Sequence, residues 1–275
     1  YPGRYQTAEG IKSFTTRLET IAVRGQAAET LTVRETVHGP VVSDIMTGTG
    51  GVASNGDVLS LSFSGLAPDD RTADAFLAIN RAKDWPGFLA ALASFHSPLQ
   101  NFAFADQAGN VGFAVAGRVP RRLSGDGRLP APGWSGTHEW AGWVPFERLP
   151  RVYNPPGGVI VNANNKPGPD ALVAPLGADW EQTYRARRIQ DLLAIDPRQT
   201  VDGVQTMQSD SLSLPARDLL AILTQVEPHD DRGRRAVAML KSWDGRMTRG
   251  RADPLIFSAW LRELNRVLYS DELGP

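Results

Sequence analysis

The chain has 275 residues and balances 29 lysines and arginines against 30 aspartates and glutamates, and its formal charge of −1 excludes the strong basic field that nucleic acid or an anionic lipid surface selects. With 41% hydrophobic and 21% charged residues it has the composition of a globular protein able to bury a sizeable core. Cysteine is absent, which removes disulfides, thiolate metal sites and a cysteine nucleophile, and no apolar run reaches the roughly 18 residues of a bilayer span.

In chain order, the stretches FTTRLETIAVRG and ETLTVRETVHGPVVSD alternate apolar and polar residues as half-buried strands do, and DVLSLSFSG predicts a third strand after a glycine-rich turn. From Thr72 to Phe95 the period changes towards 3.6, and Trp85-Pro86 breaks it into two short helices, because proline suits the first turn of a new helix. NFAFADQAGNVGFAVAGRVP predicts a β-hairpin, with Asp, Gly and Asn in DQAGN supplying the turn. Residues 120–158 are rich in Pro, Gly and Trp and read as an ordered loop packed over the body. VIVNA reads as a short strand. From Tyr184 onward the pattern is helical, in RARRIQDLLAI, PARDLLAILTQV, RRAVAMLKSW and PLIFSAWLRELNRVL. Strands first and helices last predict an α+β layered fold, one partial domain that is mainly strands and ordered loop over 1–183 and mainly helical over 184–275.

Most candidate motifs fail on context. MTGTGGVA satisfies a G-x-G-x-x-A pattern at Gly48, Gly50 and Ala53, yet a turn and a strand follow where a dinucleotide fingerprint must open a helix, so it reads as a hairpin loop. Ser135 lies near His138 in GWSGTHEW without the G-x-S-x-G elbow. His38, His96, His138 and His229 show no metal-ligand spacing, and Asp69-Asp70 and Asp230-Asp231 read as turn or helix-start residues. Trp134, Trp140 and Trp143 either cap the core or form an aromatic ligand platform.

The asparagines of VIVNANNKP differ. On a strand, Asn162 and Asn164 would share one face at the strand end. An amide there donates N–H bonds without titrating, which suits an oxyanion site; equally, Asn165 and its neighbours could only form the turn before Pro167. Spacing leaves both readings open.

Several stretches, in order, resemble the penicillin acylase family of N-terminal nucleophile hydrolases, and in particular the middle of that family's β subunit. They are TVHGPVVSD at 36–44, PLQNFAFADQAGNVGFAVAGRVPRR at 98–122, GRLPAPG followed by EWAGWVPFERLPRVYNPPGGVIVNANNKP, YRARRIQDLL at 184–193 and MQSDSLSLPA at 207–216. The resemblance implies an αββα sandwich in which an N-terminal serine attacks an amide carbonyl and its own α-amino group is the base. It puts an oxyanion-holding asparagine side chain at Asn164, beside a backbone N–H donor, and an arginine that orders the site and favours the neutral amine at Arg185.

The departures from the family are also expectations. Residue 1 is tyrosine, so the chain is expected to be a segment of the β subunit that lacks the nucleophile and is inactive alone. Its partners would be a small-molecule amide substrate, the α subunit and the rest of the β subunit, with no nucleic acid and no membrane. No cofactor is expected: of the family's calcium ligands only a carbonyl at Gly127 and an ambiguous Asp179 map here, and calcium is not carried over. The family implies a bacterial periplasmic or secreted enzyme acting on penicillin-like or other N-acyl amides. The alternatives are an acyl-homoserine lactone acylase and a non-catalytic binding module.

Overall fold

The computed structural model describes residues 3–46, 56–196 and 198–274, and its backbone divides into two units, residues 1–180 and 181–275. The glycine-rich MTGTGGVA stretch lies, apart from Met46, outside the described residues.

The two alternating segments of the first unit become paired strands, and a hairpin that the sequence pattern did not single out precedes them. Strands β1 (Arg4–Thr7) and β2 (Gly10–Ser13) form a hairpin, and β3 (Thr15–Ile21) runs antiparallel to β4 (Glu29–Thr36), which continues to β5 (Gly39–Pro40). Gly39 has φ +123°, and a Cβ there would collide with the Leu61 carbonyl, so the tight β4–β5 turn needs glycine. The third predicted strand, DVLSLSFSG, is shorter than the alternation suggests. It makes one bridge, Ser60 to Val41, with Leu61 N donating to Pro40 O at 2.9 Å, and then winds into a 3-10 turn at Ser64–Leu66. Among the described residues its backbone pairs only with the short stretch 40–42 at the end of β5, too little to carry a ladder.

Helices α1 (Thr72–Ile79) and α2 (Trp85–Leu92) stand where the period changes. Asp84 caps α2 by accepting from Gly87 N at 2.8 Å, with Pro86 in the first turn. The predicted hairpin is β6 (Gln100–Ala105) and β7 (Val111–Ala116), and the Asp106 carboxylate closes its turn by accepting from Ala108 N, Asn110 N and Asn110 Nδ2. The 120–158 stretch is ordered but less irregular than its proline and glycine content suggests. It holds β8 (Pro120–Arg122), paired with β9 (Trp140–Trp143), and β10 (Arg151–Tyr153), which joins β7 to give a β10-β7-β6 sheet. Strands of three or four residues leave no periodicity to read; the pairing partners decide them.

The two faces of β10-β7-β6 are covered differently. Alternation turns Ala114 and Ala116 of β7 with Phe102 and Phe104 of β6 towards Trp85, Phe88 and Leu92 of α2. Gly112 is the floor of this layer: the Trp85 ring lies against it and stacks on Tyr153 at 5.2 Å. The opposite face, Phe113 and Val115, packs with Val119, Leu149, Val144, Phe146, Ile160 and Leu176. The segment that carries VIVNANNKP is therefore anchored on this second face through Ile160. After it comes the single-turn α3 (Asp170–Val173).

The second unit is helical: α4 (Tyr184–Ile195), α5 (Val201–Gln208), α6 (Leu214–Leu223), α7 (Asp231–Lys241) and α8 (Asp253–Leu273). Thr200, Ser213 and Asp230 cap α5, α6 and α7 by accepting from Gly203 N, Ala216 N and Gly233 N, which satisfies donors the helices cannot satisfy themselves. Leu220, Leu223, Leu240, Trp243 and Phe257 form its core. Among the described residues no helix is long and apolar enough to cross a membrane.

Candidate functional site

The apolar half of VIVNANNKP does what its composition requires, since Ile160 joins the second core face and Ala163 is buried. The expected strand is absent: 159–162 has no ladder partner among the described residues, and the chain bends at 163–165. Asn164 has φ +63°, in the left-handed region. That conformation ends the alternation, so Asn162 and Asn164 are not same-face neighbours on a strand.

Asparagine side chains hold the bend. Asn162 Oδ1 accepts from Asn164 N at 3.2 Å, an Asx turn, and Asn165 Oδ1 accepts from Ala163 N at 3.0 Å. Asn162 Nδ2 donates to Asn165 O at 3.4 Å. A further contact arrives from β6, where Asn101 Nδ2 donates to Asn162 Oδ1 at 3.0 Å. The exit is tied down by an ion pair between Lys166 and Asp170 in the first turn of α3. Left-handed backbone costs an ordinary L-residue about 1 kcal/mol or more, and asparagine tolerates it best after glycine. The oxyanion and turn readings of the sequence therefore do not exclude one another. Asn162 and Asn165 build the turn, and the turn presents Asn164 on an exposed apex.

Arg185 belongs to the second unit, in the first turn of α4, exposed and 3.8 Å from Glu181 across one turn of chain. A cation at a helix start opposes the helix dipole, so this position is not optimised for helix stability. Asn164 and Arg185 are thus positioned by separate units, each by its own local structure.

A stronger ionic cluster in the second unit was not signalled by the sequence. Asp210, in MQSDSLS, accepts from Arg188 Nε at 2.8 Å and Nη2 at 3.0 Å, and from Arg246 Nη1 at 3.1 Å. Those bonds, Arg188's first, hold its carboxyl down at about 2. In the first unit, Arg118 grips Asp69 with two 2.7 Å bonds and lies 5.4 Å over the Trp143 ring, and Asp69 is likewise lowered to about 2. His96 accepts from Arg71 N at 3.1 Å, and burial pushes its pKa below the ordinary histidine value. Trp140 meets Trp143 edge to face at 5.4 Å. Both clusters staple elements together. Ser135, Thr137 and His138 form a hydrogen-bonded run on an exposed loop, with contacts of 2.8 and 2.9 Å.

At the two positions that map onto the family's calcium ligands, the Arg122 guanidinium lies against Gly127, and Arg128 Nη2 is 3.9 Å from Asp179 Oδ1. Among the described residues no three His, Asp or Glu side chains gather as a metal site.

The fold is thus α+β, with an asparagine-built bend following a three-stranded sheet. The sequence profile described as Penicillin amidase matches residues 1–275, and the chain belongs to that family. It is 35% identical to a penicillin acylase 2 proenzyme of Pseudomonas sp. over 92% of this chain and 32% of that protein. With an acyl-homoserine lactone acylase QuiP of Pseudomonas fluorescens it shares 31% identity over 98% of this chain and 34% of that protein. Its fold is similar to that of a thermostable penicillin G acylase from Alcaligenes faecalis, with TM-score 0.77 and 28% identity, over 99% of this chain and 50% of that one. The N-terminal nucleophile hydrolase fold expected from the resemblance is thereby established. The chain spans about a third of the length of the curated relatives it matches.

Proposed function

We propose that this chain is the oxyanion-bearing part of an amidohydrolase that cleaves the acyl amide bond of penicillin-like or other N-acyl substrates. The observation that carries the reading is the Asn164 bend, an amide held on an exposed apex by the side chains of Asn162 and Asn165. In the reaction, a serine hydroxyl supplied by residues outside this chain adds to the amide carbonyl. Its proton goes to the serine's own α-amino group, and the carbonyl oxygen becomes a tetrahedral oxyanion. The Asn164 amide donates to that oxygen together with a backbone N–H. Collapse expels the amine, which takes the proton, and water then hydrolyses the acyl-enzyme. Because Asn164 is fixed before the charge develops, its dipole needs no reorganisation as the transition state forms.

Arg185 has a different role in this reading. Its fixed positive charge disfavours a protonated amine, which keeps the nucleophile's amino group available as the base. The associated polypeptide segments are the remainder of the same precursor, the compartment is the bacterial periplasm or exterior, and β-lactam antibiotics are the natural test substrates. A second substrate class is supported by the likeness to acyl-homoserine lactone acylases. Hydrolysis of an aromatic acyl penicillin against a long-chain acyl-homoserine lactone by the intact enzyme distinguishes them.

The decisive substitution is Asn164→Ala in the intact enzyme. Loss of one oxyanion donor lowers kcat about 100- to 1,000-fold, roughly 2.7–4 kcal/mol. A loss below about tenfold refutes the role.

A further inference from the structure

Asn101 is not adjacent to the asparagine bend in sequence; it lies on β6, 61 residues before Asn162. Side-chain alternation puts Phe102 and Phe104 on the face that packs against α2, and Asn101 on the other. That other face also carries Val115, the residue paired with Asn101, and the core cluster that Ile160 joins. The sheet thus delivers one amide to the bend from beneath. Asn101 Nδ2 donates to Asn162 Oδ1 at 3.0 Å, and the same oxygen accepts from Asn164 N at 3.2 Å. Asn162 Oδ1 is the shared acceptor of the two bonds, and its Nδ2 turns towards Asn165 O at 3.4 Å.

We propose that Asn101 is a positioning residue for the oxyanion donor: it selects the Asn162 amide orientation that locks Asn164 in its left-handed conformation. This rests on the oxyanion reading of Asn164. An amide has two orientations, with oxygen and nitrogen exchanged. With the Asn162 amide reversed, its NH2 would face the Asn164 N–H, donor against donor, and the Asx turn could not form. The Asn101 amide donates to the same oxygen and so adds to the stability of the observed orientation. Besides the packing of Ile160, the sheet therefore reaches the bend through this hydrogen bond, and the loop alone does not have to hold Asn164 in place.

The test is a kinetic set in the intact enzyme, each variant checked by circular dichroism and melting temperature. Asn101→Ala is expected to lower kcat about fivefold or more, in line with one lost charge-free hydrogen bond, while KM stays within about twofold. Asn101→Asp, which puts carboxylate against the Asn162 oxygen, is expected to lose at least as much. Because Asn101 acts only through Asn164, Asn101→Ala in an Asn164→Ala background should change kcat by less than about twofold, whereas an ordinary structural contact would give additive losses. A smaller effect of Asn101→Ala alone, or additive losses in the double variant, overturns the positioning role. If that happens while Asn164→Ala alone still costs about 100-fold or more, the oxyanion reading survives without it. If Asn164→Ala alone costs below about tenfold, both fail.

Discussion

Removing the charge of Asp210 by Asp210→Asn should loosen the second unit locally without unfolding it. The Asp210 side chain is 11% exposed and Arg188's is 19%, so the bidentate pair between them is largely removed from water, while Arg246 is 45% exposed. A buried pair broken on one side costs about 3–5 kcal/mol, and an exposed pair contributes about 1 kcal/mol or less. Partial exposure of Arg188 and an amide that still accepts one bond bring the expected loss to about 3 kcal/mol, or about 100-fold in an opening equilibrium. The assay is hydrogen exchange of the intact enzyme, read at the amides of α6 and of residues 209–212, which the Asp210 bonds tether to α4 and to Arg246. Acceleration below about fivefold there would refute the ledger. The pH dependence gives a second check. The carboxyl is depressed to about 2, so its stabilisation is complete above the unfolded carboxylate pKa near 3.8 and is lost as pH falls through the folded value. The difference in melting temperature between wild type and Asp210→Asn should therefore be constant from neutral pH to about 5 and shrink towards pH 2. A difference that grows on acidification contradicts the assignment.

Two further outcomes are expected. Gly112→Ala places a methyl group into the Trp85 ring and should destabilise the β6–β7 layer by about 1–3 kcal/mol, visible as a lower melting temperature and a changed tryptophan spectrum; an unchanged spectrum would show that the ring is not seated there. Arg185→Gln should move the acidic limb of the kcat/KM profile up by about one pH unit, because loss of a cation raises the pKa of the amine that must be neutral, with activity recovered at higher pH. A profile that stays in place, or moves down, removes Arg185 from that role.

What the sequence by itself determined is whatever depends on neighbours a few residues away. Alternation located β3, β4, β6 and β7; the change to a 3.6 period located α1 and α2, with Pro86 dividing them; and Asp106 with Gly109 and Asn110 announced their hairpin turn. Asn164 could be singled out because its motif, in order with the others, resembles that of a family, and the resemblance implies an oxyanion donor there. Tertiary structure decided the rest. Residues 159–162 have a strand's composition but no ladder partner among the described residues, and strand character belongs to a pair, not to one segment. Residues 120–158 looked broken, yet Arg151–Tyr153 becomes a strand because β7 offers it an edge. Asp210 read as one more acidic residue until Arg188 and Arg246, 22 and 36 positions away, closed on it. The bend at Asn164 shows both limits at once: its amides are written locally, but the bond that aims Asn162 comes from Asn101, and only the alternation of a folded sheet brings that side chain to the same face.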